Sequence, residues 1–161
     1  MRNSDEKKLN IKNYKILLVE DDPNDVILIK RAFKKANIIN PIQLVENGED
    51  AINYLAGTGK FMDRKLHPLP SLILLDLKLP RKTGYEVLDW VKKQPRLKRI
   101  PIVVLSSSKH NLDINRAYDL GANSYLIKPV SFGILLEKVR EIDMYWFTLN
   151  EKPEINSGDK K

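Results

Sequence analysis

The sequence predicts an α/β fold: a doubly wound, five-stranded parallel sheet in the order 2-1-3-4-5, with helices on both faces. Three observations predict it. Short apolar runs, of which Leu72-Ile73-Leu74-Leu75 is the clearest, read as strands buried on both faces, the kind found inside parallel sheets. Each run is followed by a stretch with helical spacing, and such alternation is built as a parallel sheet with right-handed crossovers. Polar residues recur at the carboxyl ends of the runs, where open α/β sheets place their ligands.

Taken in order, residues 14–19 form the first predicted strand, ending in Glu20-Asp21-Asp22. A helix opens next, with Asp22 as N-cap, Pro23 at its first position and Asp25 favouring the positive end of its dipole. Val26, Ile29, Ala32, Phe33 and Ala36 supply its apolar stripe. A second strand spans 42–45, and Asn47 starts a short helix that Gly57 stops. Residues 57–70 form a long, proline-flanked loop carrying Phe61, Met62 and His67, longer than most connections in α/β units. His67 has no second ligand at metal spacing and reads as a loop residue.

The third strand ends at Asp76, and Pro80 breaks the segment. Thr83-Gly84-Tyr85-Glu86 matches a capping box for a helix that Pro95 ends. A fourth strand over 100–105 leads into Ser106-Ser107-Ser108, and Asn111 suits the cap of a helix closed by Gly121. The fifth strand, 123–127, ends in Lys128-Pro129, and Ser131 caps the last helix, striped by Leu135, Leu136, Val139, Ile142 and Trp146. Residues 1–13 read as an N-terminal extension, 14–149 as one domain and 150–161 as a polar, disordered tail.

Composition narrows the function. The chain of 161 residues has no cysteine, so there is no disulfide framework and no thiol chemistry, which fits a cytoplasmic setting. The polar N-terminus is no secretory signal, and no apolar stretch approaches the roughly 20 residues of a membrane span. The net charge of +7 gathers largely between Lys78 and Arg99, without interleaved aromatics or a helix-turn-helix or zinc-finger pattern. That reads as a solvated basic face suited to an acidic protein partner rather than to nucleic acid.

In the 2-1-3-4-5 order, strands one and three are neighbours, so Glu20 and Asp21 meet Asp76. One acid at a strand end reads as a helix cap or a surface residue. Three in one cleft repel unless a cation neutralises them, and an all-oxygen set suits Mg²⁺ or Mn²⁺. Strand four adds Ser106 and strand five Lys128, a hydroxyl donor and a mobile cation for phosphoryl oxygens. With a metal to offset charge, Asp76 can attack phosphorus and form an aspartyl phosphate.

Val19-Glu20-Asp21-Asp22, Leu75-Asp76-Leu77-Lys78-Leu79-Pro80, Leu105-Ser106 and the run from Ala122 to Pro129 together resemble a response-regulator receiver domain, related to the chemotaxis-regulator fold. The resemblance covers residues 15–146. It implies that Asp76 accepts phosphate from a histidine kinase, that Glu20, Asp21, Asp76 and the backbone carbonyl of Lys78 hold Mg²⁺, and that the protein catalyses its own phosphotransfer and autodephosphorylation rather than being an enzyme with an external substrate. It implies a switch pair, Ser106 and Tyr125, altering the face around helix four, strand five and helix five. It implies a cis Lys128–Pro129 bond. The long loop and the aromatic end Tyr145-Trp146-Phe147 resemble small regulators paired with phytochrome-type kinases, with Tyr145 and Phe147 suited to a homodimer contact or to finishing the core. No output domain is expected after the last helix.

Two departures stand out. Lys78 occupies a position where neutral residues are usual, and its amine is expected to reach a pocket acid; Ser106 replaces the commoner threonine. Lys78 also excludes a haloacid-dehalogenase-like phosphatase, which needs an acid there. A flavodoxin-like electron carrier needs phosphate-binding amides and hydroxyls where Glu20-Asp21-Asp22 would repel the phosphate. The remaining rival is a scaffold that works without phosphorylation.

Overall fold

The computed structural model describes residues 14–129, 131–149, 153 and 155, with no account of the side chains of 147–149. The parallel strands β1 (Ile16–Val19), β2 (Ile42–Val45), β3 (Leu72–Leu75), β4 (Ile102–Ser106) and β5 (Ser124–Ile127) lie in the order β2-β1-β3-β4-β5, as expected. Between and after them come α1 (Pro23–Lys35), α2 (Gly48–Ala56), α3 (Gly84–Lys93), α4 (Asn111–Asp119) and α5 (Phe132–Ile142), which continues as a π-helical turn over Asp143–Leu149. A single 3₁₀ turn, Gly59–Phe61, interrupts the long loop.

Both faces of the strands are apolar because each face has its own helices to cover. Leu17, Val19, Ile73, Leu75, Ile102 and Val104 pack with Tyr54 and Leu55 of α2, Val87, Leu88 and Val91 of α3, and Ala117 of α4. The alternate residues Ile16, Leu18, Leu72, Leu74, Val103 and Leu105 pack with Ile29 and Phe33 of α1 and Leu135, Val139 and Ile142 of α5. That two-residue alternation explains the uninterrupted runs of β1, β3 and β4, whose residues are buried on both faces.

Local chemistry sets most boundaries. Asp22 Oδ1 accepts from the Asn24 and Asp25 backbone N–H groups at the start of α1. Asn47 caps α2, and Thr83 and Glu86 form a reciprocal capping box on α3. The strand over 100–105 is corrected to Ile102–Ser106: Pro101 has no N–H to give, so the regular ladder starts after it. The α4 cap moves too. His110 occupies the N-cap without a side-chain bond, and Asn111 is the first helical residue.

Ser131 stands at the N-cap of α5 without a side-chain bond there. Among the described residues no peptide bond is cis, so Lys128–Pro129 is trans, the isomer that X–Pro bonds favour intrinsically by about 0.5–1 kcal/mol. The extension 1–13 and most of the tail 150–161 lie outside the described residues. Ile155 of that tail packs half-buried against the α2–α4 side of the core, as an isoleucine gains by leaving water. Among the described residues no helix is long and apolar enough to cross a membrane.

Candidate functional site

The site follows from strand register. Val19 of β1 pairs with Leu75 of β3, so the next residues, Glu20 and Asp76, leave the sheet side by side. Ser106 pairs with Ile127, which brings Lys128 to the same edge, and the Lys128 backbone N–H donates to the Ser106 carbonyl at 2.8 Å. Carboxylate oxygens of Glu20, Asp21 and Asp76 all lie within 4.8 Å of one another. Glu20 is 1% exposed and Asp76 9%, whereas Asp21 faces solvent.

Lys128 offsets this charge. Its Nζ donates to Glu20 Oε1 at 2.6 Å, Asp25 Oδ2 at 2.8 Å and Asp76 Oδ2 at 3.1 Å. Asp76 Oδ1 accepts from the Leu77 backbone N–H at 2.7 Å. Burial, reinforced by the neighbouring Asp76 and Asp25 carboxyls, pushes the Glu20 carboxyl up to about 9 despite the bond from Lys128. Burial pulls the Lys128 amine down, but the bonds to Asp25 and Glu20 and the charge of Asp76 outweigh it and hold the amine above its usual range. For Asp25, burial alone would raise the carboxyl; the neighbouring Glu20 carboxyl and the bond and charge of Lys128 hold it below its usual value.

The second oxygen of Glu20, Oε2, is buried without any hydrogen-bond partner. An orphaned carboxylate oxygen beside two further acids is what a hard cation with oxygen ligands would complete, so the residues present fit a divalent metal.

The loop after β3 is pinned from both sides. A Cβ on Gly84 would come within 2.1 Å of the Asp76 carbonyl oxygen, and one on Gly48 within 2.0 Å of the Lys82 carbonyl oxygen. Leu77 and Leu79 are buried while Lys78 between them is exposed. The Lys78 amine forms no ion pair with the pocket acids; its charge is felt at Asp113, beyond β4, because a side chain between two inward leucines points outward.

The family model for the response regulator receiver domain matches residues 16–140 of this sequence. The chain belongs to the response regulator receiver family. It is 43% identical to the probable methanogenesis regulatory protein FilR2 of Methanothrix harundinacea, with 86% of each chain covered. It is 39% identical to the response regulator Rcp1 of Synechocystis, covering 81% of this chain and 87% of Rcp1. The Mn²⁺-bound structure of Rcp1 superposes with a TM-score of 0.78 at 37% identity, over 88% of this chain and 99% of that one. The phosphorylated cyanobacterial phytochrome response regulator RcpA gives a TM-score of 0.82 at 39% identity, again over 88% and 99%. Receiver domains bind a divalent metal and take phosphoryl groups from histidine kinases in two-component signalling.

In this receiver the expected switch pair converges on one residue. Ser106 is buried, and its Oγ accepts from the Ser108 backbone N–H at 3.2 Å. Tyr125 is half-buried on β5, and its hydroxyl donates to the Ser108 carbonyl at 2.9 Å. Tyr145 is 53% exposed, so it does not finish the core; the side chain of Phe147 lies outside the described residues.

Two things escaped the sequence. Asp25 reads there as a dipole-favouring acid, yet it is one of three carboxylates on Lys128; its place in the first turn, facing the end of β1, was the available signal. The 57–70 loop is also better tied than its length suggests. Arg64 donates to the Tyr54, Leu55 and His67 carbonyls, and the Tyr54 hydroxyl to the Pro68 carbonyl. His67 of that loop packs edge-on against Tyr54 and Phe61, with its Nδ1 buried and without a hydrogen-bond partner.

Proposed function

We propose that Asp76 is the phosphoacceptor of a Mg²⁺-dependent transfer from a histidine kinase. The observation that carries this reading is the convergence of Glu20, Asp21 and Asp76 within 4.8 Å, with the Lys128 amine 3.1 Å from Asp76 and the Ser106 hydroxyl on the adjoining strand tip.

Glu20, Asp21, Asp76 and the Lys78 carbonyl would hold the ion, with Mn²⁺ an alternative. When bound, the cation neutralises charge that builds on the phosphoryl oxygens. An Asp76 oxygen attacks the phosphorus of a phosphohistidine, a P–O bond forms as the P–N bond breaks, and the imidazole leaves with a proton. Lys128 turns from the carboxylates to a phosphoryl oxygen, and Ser106 donates its hydroxyl to another. Autodephosphorylation reverses the modification: water attacks phosphorus, inorganic phosphate leaves and the Asp76 carboxylate returns. Ser106 and Tyr125 form the switch pair through which this changes the α4–β5–α5 face, a surface suited to a partner protein or a second copy. The setting is cytoplasmic.

The input kinase is of the phytochrome type, a reading supported by the likeness to Rcp1 and RcpA. The likeness to FilR2 favours a second reading, a kinase unrelated to light, and phosphotransfer profiling against a kinase panel separates the two. The core test is intact-mass measurement after incubation with Mg²⁺ and acetyl phosphate. The expected result is a gain of one phosphoryl group, absent in Asp76→Asn. No gain in the wild type, or an equal gain in the variant, overturns the assignment and favours the scaffold.

A further inference from the structure

Ser108 lies in the loop between β4 and α4 and touches both members of the switch pair through its backbone. Its own hydroxyl does something else: Ser108 Oγ donates to Asp113 Oδ2 in a short hydrogen bond and accepts from the His110 backbone N–H. The other oxygen of Asp113 accepts from the Tyr85 hydroxyl of α3 at 2.9 Å. The Arg116 guanidinium, one turn along α4 from Asp113, lies 4.0 Å from the centre of the Tyr85 ring. Two helices and a loop are therefore joined at one carboxylate.

We propose that Asp113 is a positioning residue of the phosphoryl site: by holding Ser108 it sets the Ser106 hydroxyl and the Tyr125 ring together. The proposal rests on the reading of Asp76 and Ser106 given above. An acid in the first turn of a helix ordinarily favours the dipole or bonds a free N–H of that helix. Here both oxygens instead accept hydroxyls from other elements, one of them 28 residues away. The Ser108 and Tyr85 bonds hold the Asp113 carboxyl below its usual range, so it stays an acceptor at neutral pH.

The consequence is mechanical. When the Ser106 hydroxyl turns toward a phosphoryl oxygen it releases the Ser108 N–H, and a Ser108 still tied to Asp113 keeps its carbonyl where Tyr125 needs it. Without the tie the loop samples other backbone conformations, and Ser106 and Tyr125 lose their common reference.

The experiment uses the full chain and Asp113→Ala, Asp113→Asn, Ser108→Ala and Tyr85→Phe. Two quantities are read: the rate of Asp76 phosphorylation by acetyl phosphate with Mg²⁺, and the Tyr125 ring signals by NMR, assigned with Tyr125→Phe. Asp113→Ala is expected to slow phosphorylation roughly tenfold, as befits loss of one charge-assisted bond, and to move the Tyr125 signals. Ser108→Ala, which keeps the backbone donor and acceptor, should match it. The double variant should be no slower than either, because the two act as one unit.

Asp113→Asn still accepts and should fall between Asp113→Ala and wild type. Should Asp113→Ala fail to fold, Tyr85→Phe, which loses only a hydroxyl, carries the test with about a threefold slowing. Rates within twofold of wild type together with unmoved Tyr125 signals overturn the proposal. The Tyr125 readout needs no phosphate, so an inert Asp76 would overturn the phosphoacceptor reading without deciding this one.

Discussion

Two regions of the molecule bury polar side chains under loops and do so in opposite ways. Around α2 and the 57–70 loop, the Arg64 guanidinium meets three carbonyl oxygens and the Tyr54 hydroxyl meets a fourth, and the unpartnered buried atom there, His67 Nδ1, belongs to an imidazole packed among rings. At the tips of β1, β3 and β5, three carboxylates share one ammonium group and one buried oxygen of Glu20 has no partner. The first arrangement stabilises a fold. The second leaves repulsion in place, which a bound cation would relieve.

The comparison can be broken most sharply at Lys128. Lys128→Ala leaves buried acids without a cation and should destabilise the metal-free protein on the order of 3 kcal/mol in urea unfolding, with Mg²⁺ restoring part of the loss. An unchanged midpoint would mean that the acids tolerate one another unaided. Gly84→Ala should cost about 2 kcal/mol or more, since the added methyl displaces the Asp76 carbonyl, and should slow phosphorylation as well. Arg64→Ala should cost about 2 kcal/mol for its lost charged hydrogen bonds while leaving the phosphorylation rate within about twofold. A large rate effect would show that the two regions are coupled.

A gentler test uses pH. Folding raises the Glu20 carboxyl from its ordinary range to about 9. A raised carboxyl contributes stability that is fully present below the unfolded value near 4.5 and is lost as pH climbs toward about 9. Metal binding needs the deprotonated form, so affinity rises across that same window. The thermal shift produced by Mg²⁺ should therefore be larger at about pH 8.5 than at about pH 6. Equal shifts would place the Glu20 proton elsewhere. Smallest of all, Tyr54→Phe should cost about 1 kcal/mol, one neutral hydrogen bond, with no effect on phosphorylation.

Much of this was legible in the residues. Leu72–Leu75 and its counterparts declare a sheet covered on both faces, and Thr83 with Glu86 declares a helix start, because these signals are local and periodic. Glu20, Asp21, Asp76, Ser106 and Lys128 were legible as a group because the strand order brings their ends together. What escaped depends on single contacts across long separations. Asp25 looks like any first-turn acid until Lys128 is seen above it. Nothing near Asp113 in sequence announces Tyr85 or Ser108 as its partners. The outward turn of Lys78 is set by the burial of Leu77 and Leu79 and not by its own chemistry.

The pairing of Val19 with Leu75 bears on which changes of length the gene can tolerate. Side chains alternate along a strand, so losing or gaining one residue between Leu72 and Asp76 would turn the acid toward the α2–α4 layer and a leucine toward the charged edge. No substitution elsewhere repairs that. The connection around Gly59 sits in no such register, and a Cβ there would meet open space. Among relatives of this chain, insertions should gather in that loop and be missing from the few residues leading to Asp76.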